Sequence, residues 1–278
     1  MSVAETKRYL PARLRWSAFT LMELLVVISV LGILAALLLP VLSKGKQKAY
    51  ATYCLNNSKQ LMTALHMYAD DFNDWLPPNP EDGDPNVWVS GHMENPEDAT
   101  NTAYLTDPKY SKLAPYTGGS AGIFKCPADK TDHVRTFSMS QAVGTKPDPP
   151  PAAVDGPWLD GTHMHEANHP WQTYGKFSSM NTPGPSALWI FIDENSYSIN
   201  DAAFAVTMET PTAWIDWPGI YHSFGCSIAF ADGHSEIHKW TDGRTREYHY
   251  SGPITSVPDS LDILWLQSHT SSSVIAEP

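Results

Sequence analysis

The sequence predicts an α+β fold: one long N-terminal helix, followed by a small antiparallel β-sheet head with long loops. Three observations predict it. From Phe19 to Leu42 the chain is almost all Leu, Ile, Val and Ala, with Glu23 as the only charged residue. Beyond that run, Ala51, Cys54, Ser58, Leu61, Leu65, Tyr68 and Phe72 recur at spacings of three and four, while Lys48, Asn56, Asn57, Lys59 and Gln60 fall on other faces. After Trp75, short apolar segments alternate with turns rich in Pro, Gly, Asp and Asn, a pattern of strands and loops rather than of a helical bundle.

At about 1.5 Å per residue the Phe19 to Leu42 run makes a helix about 36 Å long, enough to cross the hydrocarbon core of a bilayer. Lys7, Arg8, Arg13 and Arg15 stand ahead of it against the single acid Glu5. This bias keeps the N-terminus in the cytoplasm and exports the rest. A secretory signal would have a shorter apolar core and a small-residue cleavage site behind it. Here Ser43-Lys44-Gly45-Lys46 follows directly and the helical pattern continues, so one helix is expected from about Phe19 to Tyr68 or Asp70. The acidic turn Asp70-Asp71-Phe72-Asn73-Asp74 and then Pro77-Pro78 end it. Pro40 lies inside, where a kink is expected.

The segment Ala18-Phe19-Thr20-Leu21-Met22-Glu23 resembles the prepilin signal of type IV pilins and type II secretion pseudopilins. The resemblance implies that a prepilin peptidase cuts between Ala18 and Phe19 on the cytoplasmic side and methylates the new N-terminus at Phe19. Ala18 departs from the glycine usual there but keeps a small residue. An acid inside the apolar span is costly unless paired. In pilin filaments the matching glutamate meets the ammonium of a neighbouring subunit's first residue, which assigns assembly roles to Glu23 and Phe19. The alternative is an unpaired Glu23 that snorkels to the membrane surface. The implied fold is pilin-like, with the outer half of the helix laid across the sheet.

The resulting plan has a cytoplasmic leader at 1–18, a membrane half at 19–42, an amphipathic helical half at 43–72 and an exported head at 73–278. Removing the leader, with its four bases and one acid, takes the net charge from −12 to −15. So acidic a chain does not suit nucleic acid, which calls for a basic stripe. Within the head, Ala187 to Ile192 is the clearest buried strand. Residues 143–170, rich in Pro and then His, read as an irregular insertion, and 268–278 as a mobile tail.

A second resemblance lies near the C-terminus. His222, nine intervening residues, Asp232 and Gly233 match the pattern that names a bacterial group of prepilin-type proteins, and the segments starting at Cys54 and Cys126 look like that group's segments after the span and in mid-domain. Physically, Cys226, Ile228 and Phe230 alternate with Ser227, Ala229 and Ala231 ahead of Asp232-Gly233, and Ile237 alternates with Glu236 and His238 behind it. That is a β-hairpin with Asp-Gly in the turn. In the simplest view His222 hydrogen-bonds a neighbouring strand. The sharper alternative makes His222, Asp232 and His234 ligands of a transition metal, with His163, His165 and His169 as a second cluster.

Some pseudopilins hold Ca²⁺ through carboxylates and carbonyls. Here the densest oxygen cluster is Asp193, Glu194, Asn195 and Asp201, a set suited to a hard cation. Three cysteines allow three pairings with one thiol over. Cys226 should point inward with Ile228 and Phe230. A Cys54–Cys126 bridge would staple helix to head, against the alternative of three reduced thiols.

No phosphate-binding loop, His-Glu-x-x-His or Gly-x-Ser-x-Gly is present. The expected function is therefore that of a structural subunit, major or minor, of a type IV pilus or type II secretion-like filament. Its expected partners are prepilin peptidase, other subunits and the inner membrane, with the head periplasmic or extracellular. The alternative is a tethered binding module or enzyme. Trp158, Trp171, Trp214 and Trp217 lining one open groove would favour it.

Overall fold

The computed structural model describes residues 20–79, 87–147, 149, 151–163, 170–247 and 254–274. The leader, Ala18, Phe19, His165 and His169 lie outside the described residues. The first element is α1, Leu21–Asp71, a single helix of 51 residues with Pro40 inside it. Two compact units divide the chain, one through Gly45 and the other from Lys46 onward.

In the first unit every described residue is exposed, including Leu21, Leu31, Leu37 and Leu42. The second unit begins with the outer part of α1. There the buried residues are Cys54, Asn57, Ser58, Leu61, Met62, Ala64, Leu65, Tyr68 and Ala69. The stripe matches the sequence pattern in its centre and departs at its edges. Asn57, expected on another face, is buried because its side-chain amide donates to the carbonyls of Gly122 and Lys125 at 3.2 and 3.0 Å. Phe72, expected on the stripe, is 48% exposed, since the helix has ended before it.

Two short helices, α2 (Pro96–Ala99) and α3 (Ala103–Thr106), precede the first strand. The strands are β1 (Phe137–Ser140), β2 (Trp189–Asp193), β3 (Ala203–Phe204), β4 (Ala213–Trp214), β5 (Gly225–Phe230) and β6 (Ser235–Lys239). The chain then forms α4 (Gly243–Arg246), β7 (Thr255–Ser256) and α5 (Leu261–Ser268). Five strands make one sheet in the order β3-β1-β2-β5-β6, and β4 pairs with β7 separately. The expected small β-sheet head is present and mostly antiparallel, with one parallel pair, β1 and β3, at its edge.

The two faces of the sheet carry two cores. Phe137 and Met139 of β1 and Ala229 of β5 pack with Cys54, Leu61, Leu65 and Tyr68 of α1. On the opposite side Cys226, Ile228 and Phe230 of β5 pack with Trp189, Ile192, Trp214, Trp240, Ile263 and Leu266. Strand alternation explains most of this division. A register shift between Trp189 and Phe191 explains the rest, since it lets Ile190 and Phe191 both join the α1 core. Each fully buried Leu, Met or Phe contributes about 1.5–3 kcal/mol.

Buried hydrogen bonds replace regular pairing in the loops. Arg135 is fully buried, and its guanidinium donates to the carbonyls of Phe137, Asp201 and Gly91 at 3.0, 2.9 and 3.3 Å. Burial pulls its pKa down to about 10 against the opposing pull of Glu194 and Asp201. Among the described residues of the insertion, Val154 and Leu159 are buried, and Pro157–Asp160 forms a 3₁₀ turn. The tail is likewise packed through Val274. Trp189 donates its indole N–H to the Thr270 hydroxyl at 2.8 Å, and Ser272 accepts from the Gln172 amide at 2.9 Å.

The Asp232-Gly233 hairpin is present with a longer turn than a two-residue loop. Gly233 N–H donates to the Phe230 carbonyl at 2.9 Å, Phe230 N–H donates to the His234 carbonyl at 2.9 Å, and of the two only Gly233 has positive φ, at 90°. This is a three-residue loop closed by a glycine bulge. Gly233→Ala is expected to cost about 1–2 kcal/mol from its backbone angle alone, because its new Cβ would meet nothing nearer than His66 at 3.6 Å. Gly225→Ala should cost more, since its Cβ would run into the His238 carbonyl across the β5–β6 pair. Denaturant melts of the full chain in detergent check the order; equal losses would remove the close approach as the constraint. Arg135→Ala should lose about 3–5 kcal/mol in the same assay and Arg135→Lys nearly as much, because one ammonium cannot replace a planar fork. A neutral Arg135→Lys would contradict the role given to the fork.

Candidate functional site

The start of α1 carries the clearest local chemistry. Thr20 precedes the helix, and its backbone N–H and hydroxyl both donate to Glu23 Oε2 at 2.8 Å, while the Glu23 N–H donates to the Thr20 hydroxyl at 3.2 Å. This reciprocal pair is a capping box, satisfying donors that the first turn leaves open. The signal was present in the sequence as Thr-x-x-Glu at a helix start, and it gives Glu23 a partner within its own chain. Beyond it, the exposed side chains from Leu21 to Leu42 form a surface with no polar face. The helix is long and apolar enough to cross a membrane.

The residues of the C-terminal pattern divide between the two ends of β5. Asp232 and His234 sit together in the turn, with Asp232 Oδ1 at 2.6 Å from His234 Nδ1. Burial raises the Asp232 carboxyl, but the hydrogen bonds from the His234 backbone and ring together outweigh it and hold the group below its usual range. His222 lies ahead of β5, buried, with Nε2 at 3.4 Å from Cys126 Sγ. A six-residue strand separates them, about 20 Å at ordinary strand rise, so His222 does not share a metal with Asp232 and His234. His238 stacks on Trp265 at 3.7 Å between ring centroids.

Among the residues expected to hold Ca²⁺, two part company. Asp193 and Glu194 are adjacent at the end of β2 and point to opposite faces of the sheet. Asp193 Oδ2 accepts from Cys54 Sγ at 3.3 Å, whereas Glu194 Oε2 accepts from the Ser138 hydroxyl at 2.5 Å. Asn195 Oδ1 takes the Tyr197 N–H and Asp201 Oδ1 the Ala203 N–H, each a local turn bond. Burial and the nearby Asp216 carboxylate push the Glu194 pKa well up. Cys54 and Cys126 are neighbours, and both are free thiols. Cys226 is a buried free thiol among Ile228 and Phe230, on the other face of the sheet.

The tryptophans do not line an open groove. Trp88, Trp189, Trp214, Trp217 and Trp240 are buried, and Trp214 packs at a tilt against Trp217, with ring centroids 5.7 Å apart, inside the second core. Trp158 and Trp171 are half-buried away from that core.

No family model matches the chain, and no solved structure matches it. Two curated proteins do. One, from Aeromonas hydrophila, is named type II secretion system core protein G and is 36% identical over 101 residues, covering 36% of this chain and 66% of its own length. The other, from Pseudomonas aeruginosa, has the same name and is 32% identical over 124 residues, covering 42% of this chain and 87% of its own length. These likenesses and the single apolar N-terminal helix fit a protein anchored in the inner membrane. With most of one such relative covered above 30% identity, the chain belongs to the pseudopilin-like family of type II secretion system core protein G.

Proposed function

We propose that the protein is a structural subunit of a type II secretion-like filament, cut by a prepilin peptidase between Ala18 and Phe19 and methylated at Phe19. The observation that carries this reading is the helix itself. Its first half exposes apolar side chains on every face and bears one carboxylate at its start, Glu23. Such a surface is stable in lipid before assembly, or against the same helix from neighbouring subunits afterwards. In the assembled state the Glu23 carboxylate takes the ammonium of a neighbour's Phe19, which removes two charges from a medium of low dielectric. The capping hydrogen bonds from Thr20 hold the carboxylate at the helix start beforehand. The head, acidic and closed around two cores, faces the periplasm or the exterior. The family membership and the buried tryptophans support a structural role over that of a tethered enzyme or binding module.

Mass spectrometry of the protein made alongside a prepilin peptidase is expected to find a chain starting at methylated Phe19. A start beyond residue 42 would remove both the processing site and the single-helix anchor. Glu23→Ala should leave cleavage and membrane insertion intact while filament incorporation, read by crosslinking or sheared-filament yield, falls at least about tenfold, the equivalent of about 1.4 kcal/mol. Unchanged incorporation would show that Glu23 serves only as the helix cap.

A further inference from the structure

Four donor side chains from four distant parts of the sequence meet inside the head. Cys54 comes from α1, Cys126 from the segment behind the 3₁₀ turn Ala121–Phe124, Asp193 from the end of β2, and His222 from the loop ahead of β5. All four are buried, and one ligand atom from each lies within 4.8 Å of the others. We propose that Cys54, Cys126, Asp193 and His222 bind one Zn²⁺ ion that clamps α1 to the sheet. The site is separate from the filament reading, since it lies wholly within the head and requires no assembly.

Geometry is the first argument. In a tetrahedral site with metal–sulfur bonds of about 2.3 Å and metal–nitrogen or metal–oxygen bonds of about 2.0 Å, ligand atoms stand about 3.5 Å apart. The Cys54 Sγ to Asp193 Oδ2 distance is 3.3 Å and the Cys126 Sγ to His222 Nε2 distance is 3.4 Å. These two pairs already hold the spacing that a small ion imposes, and with all four donors within 4.8 Å of one another the set closes around an ion by shifts of about 1 Å or less.

The second argument is the cost of the cluster without an ion. Asp193 Oδ1 is buried with no hydrogen-bond partner, and so is His222 Nδ1. Thiols are weak donors and poor substitutes for water around a carboxylate. Burial pushes both thiols and Asp193 towards their neutral forms, the carboxyl up to about 7, and holds His222 neutral by lowering it to about 4. A divalent cation reverses the balance for the three acids and takes the imidazole in the state it already has. Two thiolates and one carboxylate around Zn²⁺ leave one negative charge. The Lys239 ammonium, hydrogen-bonded to the carbonyls of His222 and Ser223, stands beside the cluster to offset it.

The donor set chooses the metal and the role. Two sulfurs, one imidazole and one carboxylate suit Zn²⁺, whereas Ca²⁺ and Mg²⁺ call for oxygen throughout. Four protein ligands fill a tetrahedral shell, which is the form of a structural site and leaves no position for water or substrate. Zinc here does what a Cys54–Cys126 disulfide would do, and joins two further segments to the same point. Because a disulfide consumes both sulfur ligands, the two occupants exclude each other.

The full chain, purified in detergent without chelators, is expected to contain about one zinc per molecule. Loading with Co²⁺ in place of zinc should give thiolate-to-cobalt charge-transfer bands with the ligand-field bands of tetrahedral cobalt. Cys54→Ser and Cys126→Ser should each weaken the charge-transfer bands, and Asp193→Asn and His222→Ala should each lower Co²⁺ affinity at least about tenfold. Cys226→Ser should leave stoichiometry and spectrum unchanged. Should His222→Ala fail to fold, His222→Cys keeps a ligand and is expected to intensify the thiolate bands. Zinc well below one per chain after supply of the ion, absence of thiolate–cobalt bands in the wild-type protein, or a Cys54–Cys126 disulfide in unreduced protein would each overturn the proposal.

Discussion

The outer part of α1 lies against a sheet face on which strand β5 has been kept small, and the head is organised around that contact. Ser227 and Ala229 of β5 present little more than a Cβ to the helix, and the Ser58 hydroxyl meets the Ser227 hydroxyl at 2.9 Å. Close approach in the middle lets larger side chains close the flanks: Leu61, Met62 and Leu65 from the helix, Phe137, Met139 and Phe191 from the strands. His66 adds a polar fastening, with Nε2 at 3.1 Å from the Ala231 carbonyl and its ring stacked on Phe177. Removing the stripe would expose one whole face of the sheet. In the protein's own economy of surface, the helix is a core element at one end and a membrane element at the other.

That double use explains the composition of α1. The membrane half is apolar on every face, whereas the outer half must distinguish a buried side from a wet one. The change comes at Ser43-Lys44-Gly45-Lys46, without a break in the helix. Glu23 belongs to the other end, where Thr20 caps it.

Elsewhere the head spends polar side chains on holding loops. Arg135 gathers carbonyls from Gly91, Phe137 and Asp201, and the Asn79 side-chain amide reaches the carbonyls of Ser140 and Val143 at 3.0 and 2.9 Å. A chain with many prolines and short strands leaves backbone groups that no ladder satisfies, and buried groups must find partners. These side chains supply them. The same need explains why the described part of the Pro-rich insertion around Val154 and Leu159, and the C-terminal segment through Val274, are packed despite their composition.

The sequence by itself determined the elements whose causes are local. The apolar run and the stripe at spacings of three and four gave α1 to within a residue or two, the alternation around Asp232-Gly233 gave β5 and β6, and Ala187 to Ile192 marked β2. Thr20-x-x-Glu23 was equally local but went unread in the sequence, and the cap emerged only with the hydrogen bonds between the two residues. Tertiary structure decided what depends on partners distant in sequence. Cys54, Cys126, Asp193 and His222 carry no shared period or spacing, and only the folded chain brings them within 4.8 Å of one another. Likewise the separation of Asp193 from Glu194, and of His222 from Asp232, follows from which face or end of a strand each residue occupies once the sheet has formed. Periodicity states which residues of one element share a side; it cannot state which side another element will cover.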